Sequence, residues 1–168
     1  MFIKKKKYDP YIIAEIGVNH ECDLKNAKKL IDLAKKGGAD AAKFQFYKAD
    51  KITSKNSPAY WDLKKEKTKS QYKLFKKYDH FDKKEYNLLQ KYCIKKKIDF
   101  LCTPFDVDAV KFLKNKVKFF IISSSDITNF ELLKSVAKTK KPVLLSTGAS
   151  NISEIQIAVN YQKKNGTS

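Results

Sequence analysis

The stretch that decides the fold is IIAEIGVNH, residues 12–20. A short apolar run here ends in a polar cluster, and helix-patterned sequence follows it. Four later segments repeat this design: AAKFQF (41–46), FLCTP (100–104), FFIISSSD (119–126) and VLLSTG (143–148). Strands that alternate with helices pair in parallel as βα units. Because such folds collect their chemistry where the strands end, the polar clusters are predicted to form the wall of an active site.

The segments between these strands carry helix signals. Asp23 is placed to cap a helix with apolar residues at helical spacing, and Gly37 and Gly38 are placed to end it. Five more helices are predicted: near 70–78, over 83–96, after Asp106, after Asn129, and over 151–163. Residues 47–70 are predicted to form one long irregular stretch, which in a compact domain is functional or disordered. Its aromatic pair, Tyr60 and Trp61, is a candidate cover for the mouth of the site.

The length and composition narrow the class of protein. A chain of 168 residues can form one domain with a real core. It has no apolar run of 18 residues, so no membrane span is expected. The start has no signal-peptide pattern, and Lys4–Lys7 is interpreted as a solvated edge. Three scattered cysteines indicate neither a disulfide framework nor a zinc site, so a cytoplasmic location is expected.

The net charge of +18 is a weak indicator of nucleic-acid binding in this chain. All 36 basic residues are Lys, and Arg, the preferred residue for bidentate contacts to phosphate and guanine, does not occur. The Lys residues are also spread through nearly every helix instead of forming one stripe. We therefore expect no specific nucleic-acid partner. An anionic small-molecule substrate would still be attracted by this field.

Two architectures fit five βα units. They could form part of a (β/α)₈ barrel of the TIM type, or a complete doubly wound open sheet. Lys43 and Gln45 lie two residues apart in one strand and therefore face the same way. In an open sheet they would lie beneath a helix, where a Lys is costly, whereas in a barrel they can face the lumen. The barrel is the better interpretation.

At its strand ends the chain resembles the sialic acid synthases. The motifs that carry the resemblance are AEIGVNH (14–20), KFQ (43–45), CTPFD (102–106), SSDITN (124–129) and LSTG (145–148). SPAYWDL (57–63) and KSQY (69–72) further resemble the bacterial N-acetylneuraminate synthase type. The match runs from about residue 10 to the end of the sequence. Five motifs in order at successive strand ends are a far more specific signal than any one of them.

The resemblance implies a reaction and its partners. The family condenses phosphoenolpyruvate with an N-acylated amino sugar of the N-acetylmannosamine type, which gives a nonulosonic acid and phosphate. It uses a (β/α)₈ barrel followed by an antifreeze-like domain, works as a homodimer, and needs a divalent metal, Mn²⁺ or Mg²⁺. A legionaminic or pseudaminic acid synthase is an alternative identity. Another is an inactive truncated or split-gene fragment.

The same resemblance assigns roles to eight residues. Glu15 matches the catalytic acidic residue at the first strand end. The substrate-binding positions are Lys43, Gln45, Thr103, Ser124, Ser146, Asn19 and His20, with Lys43 matched to phosphoenolpyruvate. Each has a purely structural alternative, since strand-end Ser and Thr residues often serve as caps or turn residues, and a single His is often structural.

Two departures from the family pattern are expected to matter. The family has a Lys at the position of Ile121, where a cation would face phosphoenolpyruvate. The sequence also stops at Ser168, so residues 1–168 are interpreted as a partial barrel of about five βα units. The later strands, the metal ligands and the antifreeze-like domain are expected to be absent. Because unpaired strand edges template association, the 168-residue chain is expected to be poorly soluble or oligomeric.

Overall fold

The computed structural model describes residues 9–167, and Lys4–Lys7 lie outside the described residues. The strands are β1 (Ile13–Gly17), β2 (Ala41–Phe46), β3 (Asp99–Pro104), β4 (Phe120–Ile122) and β5 (Val143–Leu145). The helices are α1 (Leu24–Lys36), α2 (Ala49–Ile52), α3 (Gln71–Lys77), α4 (Lys83–Lys96), α5 (Val107–Leu113), α6 (Phe130–Ala137) and α7 (Ile152–Lys164). A 3₁₀ turn spans Ser124–Asp126. Within residues 9–167 no helix combines the length and the apolar character needed to cross a membrane.

The strands lie side by side in the order in which they occur in the sequence. β1, β2 and β3 form one parallel ladder, β4 and β5 form a second, and β3 lies next to β4. A doubly wound sheet would reverse its strand order at a switch point. The sequential order 1-2-3-4-5 is that of a βα barrel wall, and the open-sheet alternative is excluded.

Side-chain contacts at the amino ends of the strands show that this wall is curved. The Tyr11 hydroxyl donates to Asp99 Oδ2 at 2.5 Å, and the Tyr11 ring meets the Phe119 ring edge-on at 6.1 Å. These residues precede or begin β1, β3 and β4. In a flat sheet, strands three positions apart are separated by about 14 Å. A direct contact between the ends of β1 and β4 therefore requires a concave sheet.

Local capping explains where the helices begin. Asp23 accepts a hydrogen bond from the Asn26 amide at 2.6 Å, and Asp106 accepts one from the Ala109 amide at 2.7 Å. Each satisfies an amide that the first helical turn leaves free. At α7, Asn151 and Glu154 form a reciprocal capping box. The predicted helix starts after 23, 106, 129 and 151 are confirmed, as is the predicted helix over 83–96.

The core lies between the convex face of the strands and the helices. In β2 the residues Ala42, Phe44 and Phe46 are buried, whereas Lys43 and Gln45 are only half-buried. The helices supply Ile31, Leu89, Val110, Leu113, Leu132, Leu133 and Val136 to this core. Burial of such side chains, each contributing about 1.5–3 kcal/mol, holds the helices on the convex face. On the concave face of β1 and β2 this leaves Glu15, Lys43 and Gln45.

The segment between β2 and α4 is more ordered than predicted. The expectation of an irregular stretch over 47–70 was wrong at Ala49–Ile52, which form α2. Asp79, which is 4% exposed, accepts from the Ala49 amide at 2.9 Å and pairs with Lys76. Lys48 Nζ donates to the Asp79 carbonyl at 2.7 Å. Two donors to the buried Asp79 carboxylate and one to its backbone carbonyl therefore anchor the segment across the end of β2.

The aromatic pair of this segment makes contacts within its own loop. The Trp61 indole donates to the Glu66 carbonyl at 3.1 Å, and the Tyr60 ring packs edge-on against it at 5.1 Å. An isolated bridge between Pro58 and Ser70 closes the base of the loop. Trp61 therefore stabilises the loop, and the role of the pair as a cover for the site stays a prediction.

Candidate active site

The first strand pair brings the predicted catalytic acid to the predicted anion-binding lysine. The parallel register places Glu15 of β1 opposite Lys43 of β2. The Lys43 ammonium donates to Glu15 Oε2 in an ion pair. The Lys43 side chain is 14% exposed and that of Glu15 is 51% exposed. The pair is therefore anchored on the lysine side, while the carboxylate is open to an incoming ligand.

Gly17 leaves room for this pair and for Gln45. Its backbone adopts φ +56°, and a Cβ at this position would lie 3.2 Å from Glu15 Oε1 and 3.7 Å from Gln45 Nε2. The chain bulges here, since Glu15 pairs with Lys43 but Gly17 pairs with Phe44. Glycine can adopt the left-handed backbone conformation, and because it has no Cβ it leaves space for both side chains. The Glu15 carboxylate and the Gln45 amide thus lie close together around residue 17.

Thr103 lies on the same face as Gln45, because β2 and β3 pair these two residues directly. The Thr103 side chain is 1% exposed, and its Oγ1 has no hydrogen-bond partner among the described residues. Buried hydroxyl groups nearly always have a partner, which can be protein, water or ligand. The Thr103 hydroxyl is therefore a buried polar group beside Gln45 that the described residues leave unsatisfied.

The fourth and fifth strands bring two further predicted residues to the same edge. Ser124 follows β4 in the 3₁₀ turn, and a Cβ on Gly148 would lie 4.0 Å from its hydroxyl oxygen. Ser146 is exposed after β5, and its amide donates to the Ile122 carbonyl at 3.1 Å. Burial raises the pKa of the nearby Asp126 carboxyl. Ser124 and Ser146 thus lie at adjacent strand ends.

The two residues after β1 have different environments. Asn19 is exposed in the turn, where its carbonyl accepts from the Asn26 amide group at 3.2 Å. His20 is 1% exposed and stacks on Phe81, with the ring centroids 4.6 Å apart. It also contacts Phe44, which alternates with Lys43 and Gln45 and so points to the opposite face of β2.

The structure therefore does not bring His20 together with Lys43. His20 Nδ1 accepts from the Cys22 amide at 3.1 Å, and desolvation lowers the pKa of His20 from 6.5 to about 4. The imidazole is neutral at pH 7 and packs in an aromatic cluster. Its assignment to substrate binding stays a prediction, while its packing role is evident from these contacts.

The concave face of the second strand pair is apolar. Ile121 and Leu144 are paired in the β4–β5 ladder and share that face; Ile121 is half-buried and Leu144 is 37% exposed. Among the described strand residues on the concave face, Lys43 is the one cation. The position at which a second cation was expected is therefore occupied by an apolar side chain.

Sequence reasoning missed an apolar pocket next to Gln45. It has a volume of about 180 Å³ and is lined by residues that include Tyr47, Leu74, Phe75 and Phe105. Tyr47 follows β2 directly, so an aromatic residue at a strand end was the one sequence feature that could have indicated this pocket. Leu74 and Phe75 come from α3, whose position depends on the Asp79 anchor and leaves no local trace in the sequence.

The described residues do not fit a divalent metal ion. Within residues 9–167 no three His, Cys, Asp or Glu side chains form a group that could hold one. His80 is exposed before α4, and His20 is enclosed by aromatic rings. No chemical step is therefore assigned to a metal on these residues.

Comparison with known proteins identifies relatives over nearly the whole chain. The model of the NeuB family matches residues 30–168. The chain is 44% identical to the N,N'-diacetyllegionaminic acid synthase of Campylobacter jejuni over 92% of its own length and 47% of that protein. It is 36% identical to the enzyme of the same name from Legionella pneumophila, over 91% of this chain and 44% of that protein. The chain thus spans about half the length of the curated relatives it matches.

A solved structure agrees with this finding. The N-acetylneuraminic acid (sialic acid) synthetase of Leptospira borgpetersenii, crystallised with citrate, superimposes with a TM-score of 0.81 at 38% identity. The match covers 95% of this chain and 52% of that one. The predicted architecture, a partial (β/α)₈-type barrel of five βα units, is confirmed by this likeness together with the sequential parallel strand order.

Proposed function

The chain belongs to the NeuB family, and from that premise we propose that it forms the phosphoenolpyruvate-binding part of a nonulosonic acid synthase. The reaction is the condensation of phosphoenolpyruvate with an N-acylated amino sugar, which yields a sialic acid-type product and phosphate. The relatives' names support this transferase class. The observation that carries the proposal is the Glu15–Lys43 pair on the concave face, with the unpartnered Thr103 hydroxyl in the next strand.

Each of these groups suits one part of the substrate. Lysine is a compact positive charge with three donors, which matches a phosphate or carboxylate. We assign Lys43 and the Thr103, Ser124 and Ser146 hydroxyls to phosphoenolpyruvate. We assign Glu15 and Gln45 to the sugar, because both lie around Gly17 at the mouth of the site. Asn19, exposed in the same turn, is assigned to the sugar's hydroxyl groups.

The chemistry balances without a redox partner. C3 of phosphoenolpyruvate attacks the aldehyde carbon of the sugar and forms the new carbon–carbon bond. Water then adds at C2, and the tetrahedral intermediate expels phosphate to leave the α-keto acid. In this proposal Glu15 exchanges a proton with the aldehyde oxygen, which becomes a hydroxyl in the product. Lys43 offsets the negative charge of phosphoenolpyruvate throughout.

Two sugar classes compete as the acceptor. An N-acetylmannosamine-type sugar is the first candidate, on the resemblance of the strand-end motifs. The names of the Campylobacter and Legionella relatives favour a diacetamido sugar that leads to a legionaminic acid. We also propose that the protein uses a divalent metal, forms a homodimer and is located in the cytoplasm. These three parts of the proposal rest on the family resemblance alone.

The test is a two-substrate assay on the intact protein that carries this chain. Phosphate release and product mass are followed with phosphoenolpyruvate and each aldehyde sugar, with Mn²⁺ or Mg²⁺ added. We expect phosphate release that depends on the sugar and a product heavier than the sugar by a pyruvate unit. Release of phosphate without sugar would indicate hydrolysis of phosphoenolpyruvate and would contradict a synthase.

A further inference from the structure

The turn between β1 and α1 contains two strained residues directly after His20. Glu21 and Cys22 both adopt left-handed backbone conformations, at φ +50° and +57°, which non-glycine residues seldom do in succession. The two other left-handed non-glycine residues within 9–167, Lys97 and Lys140, occur singly at or just after helix ends. Helices commonly end in such a conformation. Glu21 and Cys22 instead precede a helix, so no helix end accounts for their backbone.

The His20 ring adds a buried donor to this strained turn. Its Nδ1 accepts from the Cys22 amide at 3.1 Å, and a nitrogen that accepts carries no proton, so the neutral ring holds its proton on Nε2. Nε2 is buried and has no hydrogen-bond partner among the described residues. A phenylalanine would fill the same aromatic cluster without leaving a donor unpaired. Packing on Phe44 and Phe81 therefore does not explain a histidine here.

The acceptor on Nδ1 does explain the histidine, because it closes the strained turn. The ring accepts from the Cys22 amide, and the His20 carbonyl accepts from the Asp23 amide at 2.9 Å. One residue thus takes the amides of both residues that follow Glu21. Side chains that accept from the backbone two residues later hold turns in this way. Since the ring is only 1% exposed and stacks on Phe81, the turn is tied to the core.

Asn19 lies directly before this anchor. Its amide donates to the Ile16 carbonyl at 3.0 Å, and its carbonyl accepts from the Asn26 side chain of α1 at 3.2 Å. The backbone of Asn19 is thus fixed to the end of β1 and to α1, and the residue that follows it is fixed by the core. The exposed Asn19 side chain is the part that remains for a ligand.

We propose that His20 is a positioning residue, which holds the turn 18–23 through the Cys22 amide so that Asn19 is presented to the acceptor sugar. This inference rests on the proposed function, in which Asn19 binds the sugar's hydroxyl groups. His20 then serves sugar binding without touching the sugar. Desolvation lowers the pKa of His20 to about 4, so Nδ1 is free to accept at pH 7. Strained backbone that is held by a specific contact is typical of functional sites.

Two substitutions in the intact protein that carries this chain separate the acceptor from the packing. His20→Phe keeps an aromatic ring and loses the acceptor. It should melt close to the unmodified protein, while the KM for the sugar rises about tenfold, roughly the worth of one hydrogen bond. The kcat and the KM for phosphoenolpyruvate should change by less than about twofold, since only sugar binding is affected.

His20→Asn makes the opposite change. Its amide oxygen is bonded to Cγ, as Nδ1 is, so it can accept from the Cys22 amide, but the ring is lost. This variant should melt at a lower temperature because it leaves a cavity in the aromatic cluster. Its sugar KM should nevertheless stay within about twofold of the unmodified value. Cys22→Ala is the matched control, since it keeps the backbone amide and should leave the sugar KM unchanged.

A purely structural histidine would give the reverse order. The sugar KM would then follow the melting temperature, and His20→Asn would bind sugar worse than His20→Phe. That order, or an unchanged sugar KM in a folded His20→Phe, would overturn the inference.

Amide hydrogen exchange provides a readout that does not depend on the reaction. The Cys22 amide should exchange about tenfold faster in His20→Phe than in the unmodified protein or in His20→Asn, with the amides of α4 as the reference. If the unmodified protein uses no sugar, the proposed function fails, and this measurement alone decides whether His20 holds the turn. Equal exchange in all variants would show that it does not. Faster exchange without a change in sugar KM would overturn the positioning role.

Discussion

The wall built by β1, β2 and β3 carries charged and polar side chains on its concave face, whereas the wall built by β4 and β5 carries Ile121 and Leu144. The first wall is one ladder with a continuous register from β2 to β3, and its strands are five or six residues long. The second consists of two three-residue strands whose polar groups are confined to the turns that follow.

The two walls therefore supply different chemical groups to the concave face. Side chains within the strands of the first wall provide the acid, the cation and the amide. The second wall offers hydroxyls and backbone amides at its edge, which can bind an anion without a formal charge. The positive charge on the concave face of the described strands thus depends on Lys43.

The largest effect is expected from Lys43→Met, which removes that charge. Affinity for phosphoenolpyruvate, measured by isothermal titration calorimetry, should fall by about 2–5 kcal/mol, since a cation opposite a phosphate is lost. Lys111→Met on the outer helix α5 is the control for the general field of this basic chain, and it should change affinity little. Equal losses in both variants would mean that the field, and not the first wall, binds the anion.

His20, which packs on the convex face of the first wall, should make the stability of the fold depend on pH. The pKa of His20 is about 4 in the folded chain, against 6.5 ordinarily, because burial disfavours the charged imidazole. The unfolded chain therefore binds a proton first as the pH falls. Stability is retained above pH 6.5 and should decrease by about 2–3 kcal/mol between pH 6.5 and pH 4.

Urea titrations over this pH range measure the slope. His20→Phe should flatten it, whereas His80→Gln, at an exposed position, should not. A slope that persists in His20→Phe would assign the acid sensitivity to other groups.

Two glycine substitutions measure how tightly the first wall is packed around Glu15. Gly17→Ala and Gly38→Ala both place a Cβ on a left-handed backbone, at φ +56° and +81°. Each should destabilise the fold by about 1–2 kcal/mol. The new Cβ of Gly17→Ala would also lie 3.2 Å from Glu15 Oε1. The new Cβ of Gly38→Ala would have no neighbour within 4 Å.

Gly17→Ala should therefore lower sugar affinity in addition to the melting temperature. Gly38→Ala should lower the melting temperature alone. If both variants bound sugar like the unmodified chain, Glu15 could move without consequence and would not be a positioned catalytic group.

Ile121→Lys tests whether the second wall can be given the charge it lacks. A lysine there would face the same lumen as Lys43, and phosphoenolpyruvate affinity should increase by about tenfold, or 1.4 kcal/mol. The gain should shrink at high salt, as expected for a charge pair. Unchanged affinity in a variant that melts normally would place phosphoenolpyruvate away from β4.

The smallest effect is expected from Thr103→Val, which removes an unpartnered buried hydroxyl without changing shape. Stability should stay level or increase by about 1 kcal/mol, while phosphoenolpyruvate affinity falls. Thr139→Val is the matched control: Thr139 Oγ1 donates to the Val136 carbonyl at 2.7 Å, so its loss should reduce stability by about 1 kcal/mol. A stability loss in Thr103→Val would show that its hydroxyl already has a partner.

Local signals account for the parts of the fold that were predicted well. The caps at Asp23, Asp106 and Asn151 act within three residues of themselves, so the sequence reveals them directly. The two-residue spacing of Lys43 and Gln45 likewise decides that they share a face. The short helix α2 was missed because its start is stabilised by Asp79, thirty residues later along the chain.

The sequence by itself therefore determined the βα order, the helix starts and the set of polar residues at the strand ends, because periodicity and capping are local. Only the tertiary structure decided which of those residues meet. Register brought Glu15 to Lys43, aromatic packing took His20 to the opposite face of β2, and the Asp79 anchor formed the pocket beside Gln45. These outcomes depend on contacts between residues distant in sequence, whose energies are set by how the elements pack.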